Sequence, residues 1–245
     1  MRVTVVVPTY NEADNIDTLL RAIRKELPDA RVLVVDDGSP DGTADHAAAL
    51  GDELGGIEVL RRPAKDGLGA AYRAGLRHAI EHGAEICVQM DADLSHDPSE
   101  LPALVAIIEH GGDLTIGSRY VPGGITLNWP RRRRWVSRWG NRYAAGVLGL
   151  AVNDVTAGYR AYRSTMLERM QFDSVRAEGY GFQIEMTYRI VRLQGRVIEF
   201  PVTFQDRTEG ESKFTGSIVQ EAFGLVLRLW LADFGGRRRR RKQGG

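Results

Sequence analysis

The sequence predicts an α/β protein with a mostly parallel sheet flanked by helices. Short runs rich in β-branched residues alternate with longer segments in which apolar residues recur every three or four positions. Parallel strands need crossover connections of this kind, and helices usually supply them. With 245 residues and 43% hydrophobic content, the chain is also long enough to bury a sizeable core.

The first half of the chain carries this alternation most clearly. The predicted strands are residues 2–7, 31–36, 57–60, 85–90 and 113–118. The predicted helices are residues 12–26, 43–54, 68–82 and 98–110. The single cysteine, Cys87, lies in the fourth of these strands, where we expect it to be buried without a disulfide partner.

The alternation is lost after Tyr120. A Gly/Pro stretch and the arginine run 131–134 come first. The elements predicted beyond them are a helix over 136–151, a strand near 154–162, a helix over 181–194, a strand over 196–204 and a last helix over 216–234. No linker marks a second domain, so we predict one domain over 1–235 and a basic tail over 236–245.

Polar loops follow three of the predicted strands, which end at residues 7, 36 and 90. The loops read PTYNE, DDGSPDGT and DADLSHD. Each loop alone is also explained by the turn-forming residues Asp, Asn, Gly and Pro. Because ligands of open parallel sheets bind at the carboxyl ends of the strands, three polar loops at that edge indicate a binding site.

Asp91 and Asp93 are the strongest candidates for metal ligands. In an extended chain, side chains two positions apart point the same way, so both carboxylates face one side. Mg²⁺ and Mn²⁺ prefer such hard oxygen donors, and Mg²⁺ usually adds waters and substrate phosphates. The spacing therefore predicts a divalent cation together with a phosphorylated ligand. Asp97, ahead of Pro98, is predicted to cap the next helix instead.

The second polar loop offers adjacent acids at the end of a strand. We expect Asp37 to face a ligand, since a carboxylate there can accept hydrogen bonds from a base or a ribose. Asp41, followed by Gly42 and Thr43, is typical of a turn and a helix start, so its role is predicted to be structural.

Two other classes of function stay open at this point. Gly67 and Gly69 resemble part of a dinucleotide-binding fingerprint, which would suit an oxidoreductase. Against it, the connection from Arg61 is too long for a tight turn and Tyr72 stands at the third glycine position. Close helix packing, or a loop next to a nucleotide, explains the glycines more simply. The basic tail suits nucleic acid, but no aromatic interleaving or reading module accompanies it, and we expect no nucleic-acid partner.

Taken together, PTYNE, VVDDGSPDGT, DADLSHDP, GSRY and DRTEGESK resemble the family 2 glycosyltransferases of the GT-A fold, in particular the polyprenol (dolichol) phosphate mannose synthases. The motifs run in order from residue 8 to residue 213. The resemblance implies transfer of mannose from GDP-mannose to a polyprenyl phosphate, with inversion and with Mg²⁺ or Mn²⁺. A related alternative is transfer of glucose or another hexose from a UDP-sugar.

The resemblance also implies roles for individual residues. Asp93 and Arg119 are the implied catalytic residues. The implied metal ligands are Asp91, Asp93 and Ser95, although the family often has glutamine where this chain has Ser95. The implied nucleotide-sugar-binding residues are Pro8, Tyr10, Glu12, Val35, Asp37, Asp91, Ala92, Asp93, Arg119, Arg207 and Lys213. The implied lipid-phosphate-binding residues are Arg119, Arg133 and Ser137. Residues 1–120 thus form the nucleotide-sugar half and 121–235 the acceptor-facing and membrane-facing half.

A polyprenyl acceptor implies contact with a membrane surface. We find no segment with the roughly 18 to 20 apolar residues that a spanning helix needs. The predicted helix 216–234 has a broad apolar face that suits an interfacial helix, although its first two turns could equally pack against the sheet of the protein. Helix 136–151 is a second candidate for an interfacial helix. The tail Arg237 to Lys242 would add attraction to an anionic leaflet. We therefore expect a peripheral enzyme on the cytoplasmic face, with a small membrane-protein partner as an option.

Overall fold

A seven-stranded sheet forms the centre of the computed structural model, which describes residues 1–205 and 223–231. The strands are β1 (Val3–Thr9), β2 (Arg31–Asp36), β3 (Ile57–Arg61), β4 (Ile86–Gln89), β5 (Leu114–Ser118), β6 (Ile125–Leu127), β7 (Arg160–Arg163), β8 (Val197–Pro201) and β9 (Thr203–Gln205). The helices are α1 (Ala13–Glu26), α2 (Thr43–Leu54), α3 (Leu68–Glu81), α4 (Leu101–Glu109), α5 (Arg131–Leu148), α6 (Ser164–Arg169) and α7 (Gly179–Arg192). Short 3₁₀ helices cover Pro98–Glu100 and Phe172–Ser174, and residues 223–231 are helical.

The strand order places the loops after β1, β2, β4 and β5 at one edge of the sheet. The order is β3-β2-β1-β4-β7-β5-β8, and β6 pairs separately with β9. β1 is parallel to β2 and β4, β2 to β3, and β5 to β8. β7 alone runs antiparallel, between β4 and β5. β5 therefore keeps the direction of β4, and its carboxyl end lies at the same edge.

Helices cover both faces of this sheet, as the sequence predicts. Along β1, Val5 and Val7 point into one buried apolar cluster and Val6 points into the other. The first cluster includes residues of α1, α2 and α4, and the second includes residues of α3, α5 and α7. This alternation of buried side chains explains why the strands are rich in β-branched residues on both faces.

The structure differs from the sequence prediction at two strands. The prediction over 154–162 is wrong for most of its length, because only Arg160–Arg163 is a strand. The guanidinium of Arg160 donates to the carbonyl oxygens of Val155 (2.8 Å) and Ala157 (2.6 Å), which holds the preceding segment as a loop. The single strand predicted over 196–204 is two strands in the structure, separated by Val202. β8 belongs to the main sheet, whereas β9 pairs with β6.

The helix α5 begins earlier than the predicted start at residue 136. The carbonyl oxygen of Pro130 accepts the Arg134 amide at 3.1 Å, so the arginine run lies in the first turn of the helix and not in a preceding loop. The helix ends at Leu148, and Gly149 follows with a left-handed φ of 63°, which glycine adopts at low cost.

The segment predicted as one helix over 98–110 begins with a separate 3₁₀ turn before α4. Pro102 has no amide hydrogen to donate into a continuous helix. Asp97 caps this turn, as predicted, since its carboxylate accepts the Ser99 amide at 2.9 Å. Among the helices that the structure describes, none combines the length and the apolar content needed to cross a bilayer.

Candidate active site

Four polar segments meet at the carboxyl edge of the sheet. Residues 10–12 follow β1, residues 37–43 follow β2, residues 90–97 follow β4, and Arg119 follows β5. The loop 154–159 joins them because it leads into β7, which runs in the opposite direction. Strand direction alone therefore brings the predicted acidic loops and the predicted arginine to one side of the molecule.

Asp91 stands at this edge with its carboxylate held from one side. The Tyr72 hydroxyl donates to Oδ1 of Asp91 at 2.7 Å. Burial, and then the charge of Asp91, raises the pKa of Tyr72 well above its usual value, so this hydroxyl stays protonated. Oδ2 lies 4.0 Å from Nε2 of His96, and the Asp91 side chain is 27% exposed. Asp91 is thus oriented by the protein but still reachable from solvent.

Asp93 and Ser95 form a tight turn beside it. The Ser95 amide donates to Oδ1 of Asp93 at 3.0 Å, and Leu94 between them has a left-handed φ of 57°. The Ser95 side chain is buried, and its Oγ has no hydrogen-bond partner among residues 1–205 and 223–231. Two carboxylates and an unpaired buried hydroxyl suit a hard divalent cation.

Few side chains of the described residues are placed to bind a metal ion together. Over the described ranges, no group of three or more His, Cys, Asp or Glu side chains is arranged to hold a metal ion. Mg²⁺ held by one or two carboxylates usually takes its further oxygens from water and from substrate phosphates.

His96 lies behind the acidic turn. Its ring packs 4.8 Å from the ring of Tyr159 and 5.2 Å from that of Phe204, measured between centroids. Burial lowers the pKa of His96 below its usual value, although Asp91 and Asp93 oppose this shift, so the imidazole is neutral at pH 7. Its packing supports the turn that carries Asp93 and Ser95.

Of the acids after β2, Asp41 has the structural role that the sequence predicts. Its carboxylate accepts the amides of Ala13 and Thr43, both at 3.0 Å, and so joins the starts of α1 and α2. Asp37 is buried and paired with Nη1 of Arg62 at 2.6 Å. Burial raises the pKa of Asp37, and the Arg62 guanidinium offsets part of that rise. The ligand-facing role of Asp37 stays a prediction.

The remaining residues expected near a nucleotide occupy different environments. Tyr10 is exposed, and Nζ of Lys65 lies 3.8 Å above the centre of its ring. Oε2 of Glu12 accepts the side-chain amide of Asn15 at 3.0 Å. Pro8, Val35 and Ala92 are buried. The Val35 side chain packs in the core next to Gly75, so only its backbone can contact a ligand.

Arg119 forms a buried ion pair with Asp154. Its Nε and Nη2 donate to the two carboxylate oxygens of Asp154, each at 2.7 Å, and Nη2 also donates to Oγ1 of Thr156 at 3.0 Å. Burial alone would raise the pKa of Asp154, but the guanidinium lowers it below the usual value. Arg119 is therefore already neutralised inside the protein.

The three residues expected to bind the lipid phosphate lie around two aromatic rings. The Tyr120 hydroxyl donates to Oγ of Ser137 at 2.6 Å. The Trp129 ring centre lies 4.3 Å from the Arg133 guanidinium carbon and 5.4 Å from that of Arg119. The structure thus brings Arg119, Arg133 and Ser137 into one region. Arg207 and Lys213 lie outside the described residues.

Sequence reasoning missed several residues of this site: Tyr72, Asp154, Gly158 and Glu178. The one available signal was the glycine pair in DGLGAAYRAG. A Cβ on Gly67 would lie 2.4 Å from Oε2 of Glu178, and the Gly69 amide donates to the same oxygen at 2.7 Å. The interpretation of these glycines as sites of close packing is confirmed.

An aromatic surface lies beside the site on α5 and the helical residues 223–231. The Phe223 ring lies 5.7 Å from the Trp139 ring and 4.3 Å from the Tyr143 ring. The exposed apolar side chains of this surface are Trp135, Trp139, Leu227, Trp230 and Leu231. Trp135 is 68% exposed.

The chain is similar to known proteins along most of its length. The sequence profile of the family described as "Glycosyl transferase family 2" matches residues 4–171. The chain is 48% identical over 232 residues to the undecaprenyl-phosphate mannosyltransferase of Micrococcus luteus, with 95% of each chain covered. It is 45% identical over 230 residues to the polyprenol monophosphomannose synthase of Mycolicibacterium smegmatis, with 92% of this chain and 85% of that protein covered.

The dolichol-phosphate mannosyltransferase of Pyrococcus furiosus is 35% identical over 235 residues, with 94% of this chain and 64% of that protein covered. Among solved structures, the glucosyl-3-phosphoglycerate synthase of Mycobacterium tuberculosis, in complex with Mn²⁺, UDP-glucose and phosphoglyceric acid, superposes with a TM-score of 0.71 at 20% identity. That superposition covers 94% of this chain and 79% of the synthase. The likeness concerns the fold, and it confirms the predicted GT-A-type architecture.

Proposed function

Because the chain belongs to glycosyl transferase family 2, we propose that it transfers mannose from GDP-mannose to a polyprenyl phosphate, with inversion and with a divalent cation. Family membership makes the protein a glycosyltransferase and not an oxidoreductase. The relatives at 48% and 45% identity, over nearly the whole of this chain, are named undecaprenyl-phosphate mannosyltransferase and polyprenol monophosphomannose synthase. Those names support mannose as the sugar and a polyprenyl phosphate as the acceptor.

The observation that carries the proposal is the pair of carboxylates at the edge of the sheet. Asp91 and Asp93 would hold Mg²⁺ or Mn²⁺, with the buried hydroxyl of Ser95 beside them. The cation would neutralise the diphosphate as it leaves the sugar. Asp37, Tyr10 and Glu12, on the loops after β1 and β2, would then line the nucleotide.

The acceptor supplies its own nucleophile. The second pKa of a phosphate monoester is about 6, so its oxygen is largely anionic at pH 7 and needs no strong general base. This agrees with the neutral, buried His96, whose ring packs between two aromatic side chains. Arg133 and Ser137 would hold the acceptor phosphate next to the Arg119–Asp154 pair, and rate enhancement would come from positioning and electrostatics.

The protein would act as a peripheral enzyme on the cytoplasmic face of the membrane, and the aromatic surface supports its contact with lipid. Tryptophan side chains are favoured where an apolar interior meets the lipid headgroups. Trp135 follows the arginine run 131–134 on α5, and Trp139 lies between Arg138 and Arg142. These basic side chains suit anionic lipids. Binding to anionic vesicles should therefore weaken when both tryptophans are replaced by serine. A small membrane-protein partner would be recognised by the same surface.

A transfer assay tests the proposal. The purified chain is incubated with a polyprenyl phosphate and either GDP-mannose or UDP-glucose, with Mn²⁺ or with a chelator. We expect mannosyl transfer from GDP-mannose, loss of activity with the chelator, and loss in Asp93→Ala. The matched control is Asp97→Ala, which removes an acid of the same loop whose carboxylate only caps a turn. Transfer from UDP-glucose alone would favour the hexosyltransferase alternative, and chelator-resistant activity would exclude the cation.

A further inference from the structure

We propose that Tyr72 is a positioning residue for Asp91, and that its hydroxyl holds the carboxylate in the orientation that binds the divalent cation. This inference rests on the proposed function, since it assumes that Asp91 is a metal ligand. Tyr72 is outside the nucleotide-binding, acceptor-binding and metal-binding residues that the sequence motifs indicate. It lies on α3, within the segment that otherwise resembles a dinucleotide fingerprint.

The contact itself is well formed. The Tyr72 side chain is fully buried, and its hydroxyl lies 2.7 Å from Oδ1 of Asp91. A hydrogen bond to one oxygen of a carboxylate restricts rotation of the group and directs the other oxygen. Metal-binding carboxylates commonly depend on such a donor for both orientation and affinity.

Gly158 lies close to the other oxygen of the Asp91 carboxylate. A Cβ on Gly158 would lie 3.2 Å from Oδ2 of Asp91, which is closer than most real Cβ contacts. Nε2 of His96 is 4.0 Å from the same oxygen. Asp91 therefore lies between the Tyr72 hydroxyl on one side and the Gly158 backbone on the other, and both restrict its position.

The position of Tyr72 is fixed in turn by α7. Its ring stacks on Phe182, with centroids 6.1 Å apart and an interplanar angle of 9°. Glu178, immediately before α7, accepts the Gly69 amide at 2.7 Å and Nη2 of Arg73 at 3.0 Å. These contacts clamp the first turns of α3 on both sides of Tyr72. The hydroxyl is thus held by rigid elements, as an orienting group requires.

Mn²⁺ binding measured by electron paramagnetic resonance tests the inference without any need for turnover. In the presence of GDP, we expect Tyr72→Phe to weaken Mn²⁺ binding by roughly tenfold, the lower end of the usual cost of losing such a partner. The matched control is Tyr162→Phe, which also removes one fully buried hydroxyl, there bonded to Gln89 at 3.0 Å. Its Mn²⁺ affinity should equal that of the wild type.

Activity as a function of Mn²⁺ separates positioning from a structural defect. If Tyr72 orients a ligand, saturating Mn²⁺ returns kcat of Tyr72→Phe to the wild-type value and only the Mn²⁺ requirement rises. Equal Mn²⁺ affinity in wild type and Tyr72→Phe would overturn the inference and leave the proposed function intact. A wild-type protein that binds no Mn²⁺ would overturn both.

Thermal unfolding shows whether Tyr72→Phe is folded at the assay temperature. If it is not, Phe182→Leu gives the second test, because it loosens the ring against α7 while keeping the hydroxyl. A several-fold loss of Mn²⁺ affinity in folded Phe182→Leu supports the inference, and an unchanged affinity contradicts it.

Discussion

Asp91 and Arg119 lie at the same edge of the sheet, yet they differ in how far they are buried. Asp91 is 27% exposed, and its Oδ1 accepts a hydrogen bond from the Tyr72 hydroxyl. Arg119 is buried, and Asp154, which is 0% exposed, neutralises it through two charge-assisted bonds. Asp91 is thus reachable from solvent, whereas Arg119 and Asp154 form a buried unit.

This contrast separates the effects of substitution in the two regions. Changes around Asp91 should alter cation binding and leave stability nearly unchanged. Changes to the Arg119–Asp154 pair should alter stability, because an isolated charge would remain buried.

Asp154→Asn should lower the free energy of unfolding by about 3–5 kcal/mol, because it leaves the Arg119 guanidinium buried without a counter-ion. Urea unfolding followed by circular dichroism measures the loss. The double variant Arg119→Met, Asp154→Asn removes the uncompensated charge and should recover most of the stability. A double variant as unstable as the single one would show that charge is not the cause.

Gly158→Ala should weaken Mn²⁺ binding by up to roughly tenfold, because the added Cβ would displace Oδ2 of Asp91. The free energy of unfolding should change by less than about 1 kcal/mol, in contrast to Asp154→Asn. The matched control is Gly146→Ala on α5, where a Cβ meets nothing within 4 Å. Equal Mn²⁺ affinities in both glycine variants would mean that Asp91 tolerates displacement.

Glu100 differs from Asp154 in that its carboxylate has no cation beside it among the residues that the structure describes. Burial raises its pKa to about 7 from 4.5, although the Thr203 amide at 2.9 Å opposes the shift. The folded state therefore binds this proton more tightly than the unfolded state. The stability that the protonated form contributes is present below pH 4.5 and is lost as pH rises through 7.

Glu100→Gln should accordingly flatten the pH dependence of the melting temperature. Between pH 5 and pH 8, we expect the wild type to lose stability relative to the variant, by a modest amount because the side chain is only partly buried. Melting temperatures of both proteins across this range provide the measurement. Parallel curves would exclude an elevated pKa for Glu100.

The sequence predicted the first half of the fold well because its signals are local. The predicted strand 31–36 corresponds to β2, Arg31–Asp36, and the predicted helix 43–54 corresponds to α2, Thr43–Leu54. Each segment shows its own periodicity and ends at turn residues. The loops after β1, β2 and β4 could likewise be assigned to one edge from strand direction alone.

The second half depended on contacts that no local pattern encodes. β7 lies between β4 and β5 and runs antiparallel to both. The side chain of Arg160 in β7 donates to the preceding loop, whose sequence is typical of an extended strand. The pairing of Arg119 with Asp154 and the clamp of Glu178 on Gly69 join residues far apart in the chain. Only the folded structure brings these partners together.

Two features of the expected organisation stay predictions. One is the division into a nucleotide-sugar half over 1–120 and an acceptor-facing half over 121–235. The other is the choice of GDP-mannose over a UDP-sugar. For the second, Asp37 and its partner Arg62 are the residues to vary, since they lie at the edge where a base would bind.

Calorimetric titration of GDP, with and without Mn²⁺, tests most directly whether Asp91 and Asp93 join a cation to a diphosphate. Mn²⁺ should strengthen GDP binding to the wild type by at least about tenfold, or about 1.4 kcal/mol, and should do the same for the control Asp97→Asn. It should have no effect on GDP binding to Asp93→Asn. Equal GDP affinity with and without Mn²⁺ in the wild type, or an undiminished Mn²⁺ effect in Asp93→Asn, would contradict a cation held at this edge of the sheet.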